Sequence, residues 1–250
     1  MPDLVTLQTR EHACVVTLCR QAKLNAISVA MERELCEALT TDELRAAPCV
    51  VFTGGPEVFS AGADVDEIRG QDPAAISAYY RASGDFAERV ADLPQPTLSA
   101  ISGWCLGGGL ELALATDFRI ADADAVFGLP EVEIGILPSS GGTHRLVRML
   151  GPARAKELIL LRDRIDATEA RRLGLVTEVT EHGVAPLERA LELATRLASL
   201  PALAVQVTRE VVDVLAEASR GAGLALERLA YGMLAQTGDA DRAIAARLRR

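Results

Sequence analysis

Gly103-Trp104-Cys105-Leu106-Gly107-Gly108-Gly109-Leu110-Glu111-Leu112 is the stretch that decides the fold. Residues 97–101 before it (Thr-Leu-Ser-Ala-Ile) read as a strand, and residues 110–115 are good helix formers. The glycine triplet therefore stands at a helix N-terminus that follows a strand. Free main-chain N–H groups and the positive end of the helix dipole face outward at such a place. With no Cβ in the way, a ligand can approach the backbone closely. That combination suits an oxyanion. Close backbone packing is one competing reading. A phosphate cradle is another, but no Gly-Lys-Ser/Thr follows the triplet and the G-x-G-x-x-G fingerprint is absent.

Two further segments share this small-residue character. One is Phe59-Ser60-Ala61-Gly62-Ala63-Asp64. The other runs from Phe127-Gly128-Leu129-Pro130-Glu131 through Gly135 to Pro138-Ser139-Ser140-Gly141-Gly142-Thr143. Glu111 lies in an otherwise apolar helix, where a carboxylate is costly unless paired or protonated; one exposed helix face is the plainer reading. Glu131 follows Pro130 in an apolar, glycine-bearing loop, where a lone acid usually faces solvent. Two carboxylates beside one oxyanion site would suit paired acid–base work on a carbonyl compound. Spacing alone does not bring them together.

Around these segments, residues 5–7 and 13–18 suggest a hairpin turning at Glu11-His12. Ser28 caps a helix carrying Met31, Leu35, Ala38 and Leu39. Cys49-Val50-Val51-Phe52 is a buried type of strand ended by Gly54-Gly55-Pro56. Asp72-Pro73 opens a helix with the stripe Ile76, Tyr79/Tyr80, Ser83, Phe86/Ala87 and Val90. Gly151-Pro152 opens another. Asp166 with Glu169 reads as a capping box, Gly174 as the residue closing that helix, and residues 175–179 as a short strand. From Pro186 onward only helices are expected, broken near Pro201 and Gly238. The expectation is one α/β core over residues 1–190 and a helical C-terminal region over 191–250.

The chain has 250 residues, 49% hydrophobic and 24% charged, which excludes disordered, collagen-like and disulfide-scaffold classes. The balance of 26 basic against 35 acidic residues, 26 − 35 = −9, argues against general nucleic-acid binding. Arg242, Arg247, Arg249 and Arg250 read as a solvated helix tail. No apolar stretch approaches a membrane span, and Met1-Pro2-Asp3-Leu4-Val5 has no leader pattern, so a cytoplasmic protein with no membrane partner is expected. Cys14, Cys19, Cys36, Cys49 and Cys105 form no C-x-x-C pair and read as reduced thiols rather than a metal site. His12, His144 and His182 form no metal-binding pair; His144 reads as a helix-start residue, and Trp104 as packing or lining a pocket. Asp64 is placed to fix its loop, with Asp66 and Glu67 as a solvated helix start.

The three small-residue segments, in this order, resemble the enoyl-CoA hydratase/isomerase (crotonase) family. The resemblance runs from the first strands to about Val179 and is weaker in the helical tail. It implies a spiral of β-β-α units, a helical C-terminal region that makes trimers, homotrimers or homohexamers, and an acyl-CoA thioester as substrate, with no separate cofactor and no metal. It implies that the Ala63 and Gly108 amides form the oxyanion hole and that Glu111 and Glu131 are the catalytic acids. In Arg20-Gln21-Ala22-Lys23-Leu24-Asn25-Ala26 it implies CoA contacts at Ala22 and Leu24, joined by Ala61, Ala63, Asp64 and Gly108 around the thioester. Keeping both acids favours hydration of a trans-2-enoyl-CoA, as in fatty acid β-oxidation. Double-bond isomerisation and a catalytically silent acyl-CoA-binding subunit are the alternatives. Several positions depart from the family pattern. Gln21 replaces a usual proline, Ala22-Lys23 inverts a common order, Ser139 replaces a glycine, and the chain ends at Arg250 without the longer tail of many relatives.

Overall fold

Apolar, β-branched runs bounded by turn residues form the strands: β1 (Val5–Thr9), β2 (Cys14–Leu18), β3 (Val50–Thr53), β4 (Thr97–Ile101), β5 (Trp104–Leu106), β6 (Phe118–Ala121), β7 (Val126–Gly128), β8 (Ile165–Asp166) and β9 (Glu178–Val179). This computed structural model describes residues 3–69, 72, 74–75, 85–161 and 164–248. β1 and β2 form the expected hairpin, antiparallel from Val5↔Leu18 to Thr9↔Cys14. They lead a six-stranded sheet of order β1-β2-β3-β4-β6-β9, whose other pairings are parallel. Parallel strands covered on both faces should be apolar throughout, and every residue of β3 and β4 is buried. A second sheet has the order β5-β7-β8.

The chain alternates between the sheets. β4 and β6 belong to the large one, β5 and β7 to the small one, and helix α5 (Gly108–Leu114) leads from β5 to β6. This is a spiral of strand-strand-helix units, and it brings the loop after β5 to the start of α5. Phe52, Phe59, Phe86, Phe127, Leu98 and Leu112 are fully buried in the core between the layers.

The earlier helices are α1 (Val29–Ala38), α2 (Asp42–Ala46), α3 (Val65–Ile68) and α4 (Asp85–Ala91). Ser28 caps α1, its side chain accepting from the Met31 amide at 3.2 Å. In α4, Phe86, Ala87 and Val90 are buried, as their stripe demands. Pro73, Ile76, Tyr79, Tyr80 and Ser83 of that expected helix lie outside the described residues, as do Arg249 and Arg250. After α5 come α6 (Gly142–Leu160), α7 (Ala167–Leu173), α8 (Pro186–Ala198), α9 (Ala202–Leu215), α10 (Arg220–Leu234) and α11 (Gly238–Arg247).

Some boundaries differ from the sequence reading. α6 starts at Gly142 and bends at Gly151, where Pro152 begins a second segment; the sequence suggested only the second. Of residues 175–179 only Glu178 and Val179 pair as a strand, since the Leu175 and Val176 amides donate instead to the Ala170 oxygen of α7, at 2.9 and 3.3 Å. The tail has a third break after α9, where Ser219 caps α10. Contacts divide the chain into Met1–Ala194 and Thr195–Arg250. Within the second unit α9 packs against α10. No single helix among the described residues is long and apolar enough to cross a membrane. All five cysteines are free; Cys14, Cys49 and Cys105 are buried.

Candidate active site

Two loops must be fixed before any main-chain amide can be aimed. The first, around residues 20–26, is fixed by Asn25. This residue is fully buried, and its Nδ2 sits 2.9, 3.0 and 3.2 Å from the carbonyl oxygens of Gly54, Val58 and Phe59. Its Oδ1 accepts from the Arg20 amide at 2.8 Å. The Leu24 carbonyl accepts the Ala61 amide at 2.9 Å, tying this loop to the 59–64 segment. Leu24 and Asn25 both have positive φ, 51° and 53°, a region that residues other than glycine enter only when their surroundings hold them there.

The second loop carries Ala63. Ile27 and Ala63 form a parallel bridge in which Ile27 makes both bonds, donating to the Gly62 oxygen at 2.8 Å and accepting from the Asp64 amide at 2.9 Å. In that register the Ala63 N–H points away from Ile27. Asp64 is buried; it accepts from Arg20 Nη1 at 2.6 Å and from the Asp66 amide at 3.1 Å. Burial alone would raise its pKa. The Arg20 and Asp66 hydrogen bonds, with the Arg20 and Lys23 charges, outweigh burial and hold it below the ordinary value. Asp64 thus fixes the loop. Glu67 is not simply solvated, because it accepts the Val29 amide at 2.8 Å; Asp66 is exposed and pairs with Lys23 at 3.2 Å.

This loop packs on the start of α5. A methyl group on Gly62 would lie 3.1 Å from the Leu106 oxygen and 3.5 Å from the Gly108 nitrogen. One on Gly108 would lie 3.6 Å from the Ala63 nitrogen. The Ala63 and Gly108 amides are therefore neighbours. Gly108 is the first residue of α5, with no intrahelical acceptor, and neither amide has a protein acceptor among the described residues. Gly107 before it has φ 49° and sits against Glu131: its missing methyl would be 3.0 Å from Glu131 Oε1.

Glu111 is not on an exposed face. All seven residues of α5 are buried, and Glu111 is 3% exposed. Its Oε1 accepts from the Ser140 amide at 2.7 Å and the Gly142 amide at 2.9 Å. A methyl on Gly142 would lie 2.6 Å from Glu111 Cγ, so only glycine fits. Burial raises the Glu111 pKa, and the Gly142 and Ser140 amides and the Arg145 charge only partly oppose it. Glu131, on the short 3₁₀ turn Pro130–Ile134, has a buried Oε2 with no hydrogen-bond partner. Burial pushes its pKa up to about 7; its own main-chain N–H opposes this, and the Glu111 charge adds to the rise. Gly107 links the two glutamates, since it lies against Glu131 Oε1 and its oxygen accepts the Glu111 amide at 2.9 Å, so they share one neighbourhood.

The structure thus gathers Ala63, Gly108, Glu111 and Glu131, with Ala61, Asp64 and Leu24 in the adjoining loops. Ala22 lies on the exposed 3₁₀ turn Gln21–Lys23. The Leu24 amide donates to Gln21, so both main-chain groups of Leu24 already have partners within the protein. Ser139 is exposed, and His144 stands in the first turn of α6. Trp104 is 40% exposed, so it does not pack inside, and the Arg164 guanidinium lies 5.3 Å from its ring centre. Sequence reasoning missed Asn25 and Arg145. The only available signal for Asn25 was its place between a short turn and an apolar residue.

A mixed α/β spiral holding two neighbouring amides beside a buried and a half-buried carboxyl has the make-up of an enzyme site, and comparison with known proteins gives its family. Residues 8–246 match the enoyl-CoA hydratase/isomerase family. A probable enoyl-CoA hydratase of Rhizobium meliloti is 38% identical, with the match covering 98% of this chain and 94% of that one. The 2,3-dehydroadipyl-CoA hydratase of Escherichia coli is 36% identical, covering 100% and 97%. The crystal structure of an enoyl-CoA hydratase from Bacillus anthracis superposes with a TM-score of 0.91 at 34% identity, covering 99% of this chain and 96% of that one. The chain belongs to the enoyl-CoA hydratase/isomerase family and has the crotonase fold of its enzymes.

Proposed function

We propose that this protein is an enoyl-CoA hydratase that reversibly adds water to a trans-2-enoyl-CoA, giving a 3-hydroxyacyl-CoA. The observation that carries the reading is the unequal environment of two neighbouring carboxyls beside two unpaired amides. The thioester oxygen would sit between the Ala63 and Gly108 N–H groups. Charge grows on that oxygen as water adds at C3, so fixed donors bind the enolate more strongly than the carbonyl. Two amides on Glu111 Oε1 favour its ionised form, which suits it to take the proton from water. Glu131 has a buried, unpartnered oxygen and a pKa near 7, which suits it to hold a proton and deliver it to C2. Dehydration reverses the roles. The addition is redox-neutral, and CoA enters as part of the substrate.

In this reading the CoA part lies along Ala22, Leu24 and Ala61, with Lys23 near its phosphates. The exposed Lys23–Asp66 pair is weak enough to open for such a ligand. A homotrimer or homohexamer accompanies the reading. Val212, Leu229, Tyr231 and Ile244 leave apolar surface open on the C-terminal helices, which an assembly would cover.

The test follows loss of the conjugated thioester absorbance across enoyl-CoAs of varied length and branching, including dehydroadipyl-CoA. Mass analysis would identify the 3-hydroxyacyl-CoA. Conversion of 3-enoyl-CoA to 2-enoyl-CoA without hydroxyacyl product would select isomerisation instead. Tight binding in calorimetry with no turnover would select a silent acyl-CoA binder.

A further inference from the structure

A carboxylate that takes a proton from water must be held in place, and here two amides of one turn hold it. Main-chain turns are pliable unless something fixes them. The 140–142 turn has an unusual fixture. Arg145, one turn into α6, folds back over it: Nη1 donates to the Ser140 oxygen at 3.2 Å, and Nη2 donates to Glu88 Oε1 of α4 at 2.8 Å. The Arg145 side chain is 13% exposed, and that of Glu88 60%. Beneath the guanidinium lies Gly141, with φ 86°; a methyl there would stand 2.1 Å from Arg145 Nη1 and 2.9 Å from Glu88 Oε1. The notch is therefore cut for this ion pair. The same turn thus shows its carbonyl face to Arg145 and its amide face to Glu111.

We propose that Arg145 is the positioning residue for Glu111: anchored by Glu88 and seated on Gly141, it locks the 140–142 turn so that the Ser140 and Gly142 amides grip one carboxylate oxygen. A planar fork can hold a carbonyl and a carboxylate at once, which a lysine ammonium does less well. The charged groups facing Glu111 are Glu131 from the 3₁₀ turn and Arg145 from α6, with Glu88 of α4 behind Arg145. Arg145 favours the ionised Glu111 and Glu131 opposes it. Loosening the turn removes two donors from Glu111 and moves its titration upward.

This inference rests on the hydratase reading for its kinetic consequence but not for its geometric one, so the experiment has two arms. The variants are Arg145→Met, Arg145→Lys and Glu88→Gln. In steady-state hydration, Arg145→Met lowers kcat by about 10- to 100-fold with KM little changed, and moves the acid limb of the pH profile to higher pH. Arg145→Lys restores part of the loss, and Glu88→Gln gives a smaller loss in the same direction. The second arm titrates the protein labelled with carboxyl-¹³C glutamate, the Glu111 signal being assigned by Glu111→Gln. Its midpoint rises in Arg145→Met whatever reaction the enzyme performs. If no enoyl-CoA is hydrated, the hydratase reading fails and this titration still decides the role of Arg145. Should Arg145→Met not fold, the other two variants carry both arms. An unchanged Glu111 midpoint in folded variants, or a rise in KM at constant kcat, overturns the proposal.

Discussion

Replacing Glu131 with Gln should make the protein more stable at alkaline pH while disabling it. Burial, helped by the Glu111 charge, raises the Glu131 carboxyl from 4.5 to about 7. A carboxyl whose folded pKa exceeds its unfolded one binds its proton more tightly when folded. Its contribution to stability is present in full below about 4.5 and is lost as pH rises through about 7. At 1.36 kcal/mol per pH unit that shift corresponds to about 3 kcal/mol, and residual solvent contact with Glu131 reduces it to about 2–3 kcal/mol. Glutamine keeps the shape and cannot ionise. The assay is urea unfolding of both proteins at fixed concentration between about pH 5 and 8. The observable is the difference between the two proteins, which cancels the other titrating groups. Glu131→Gln should gain about 2 kcal/mol relative to wild type across that range, with turnover lowered by about 100-fold or more. Parallel stability profiles, or a variant less stable than wild type at the alkaline end, would refute the buried-acid reasoning.

Two further substitutions separate aim from stability. Gly108→Ala adds a methyl that meets only ordinary contacts, 3.6 Å from the Ala63 nitrogen and 3.7 Å from Ile27 Cδ1. The fold should be kept, while crowding between the amides lowers kcat/KM by about 100-fold or more; thermal melting and steady-state kinetics read the two effects. Asn25→Ala leaves the Gly54, Val58 and Phe59 carbonyls without their shared buried donor. It should cost about 2–4 kcal/mol by denaturant unfolding.

Local chemistry was the legible part of this chain. The Ser28 cap, the Asp166 side chain accepting from the Glu169 amide at 2.7 Å, and the closing Gly174 with φ 84° involve residues within one or two turns of each other. The hairpin and β4 announced themselves by composition. Short β6 and β7 did not, because a three- or four-residue strand containing Arg119 or Gly128 has no clear period. Arg119 is there to serve the interior. It is 7% exposed and donates to the carbonyls of Ala113, Thr116, Asp117 and Leu175, capping the end of α5 and reaching the segment before β9. The sequence likewise could not say which face of α5 carries Glu111 inward, since a helix buried all round has no polar stripe to read. The family resemblance supplied the grouping of Ala63, Gly108, Glu111 and Glu131. The turn that holds Glu111, and the Arg145–Glu88 pair over it, came only from the coordinates.

The most direct measurement is hydration of crotonyl-CoA in H₂¹⁸O by wild type, Glu111→Gln and Glu131→Gln, read by mass spectrometry of the product. Wild type should place one ¹⁸O at C3 at a rate that both variants lose. No labelled 3-hydroxyacyl-CoA from wild type at any chain length, or variants that match the wild-type rate, would contradict an acid pair working beside the Ala63 and Gly108 amides.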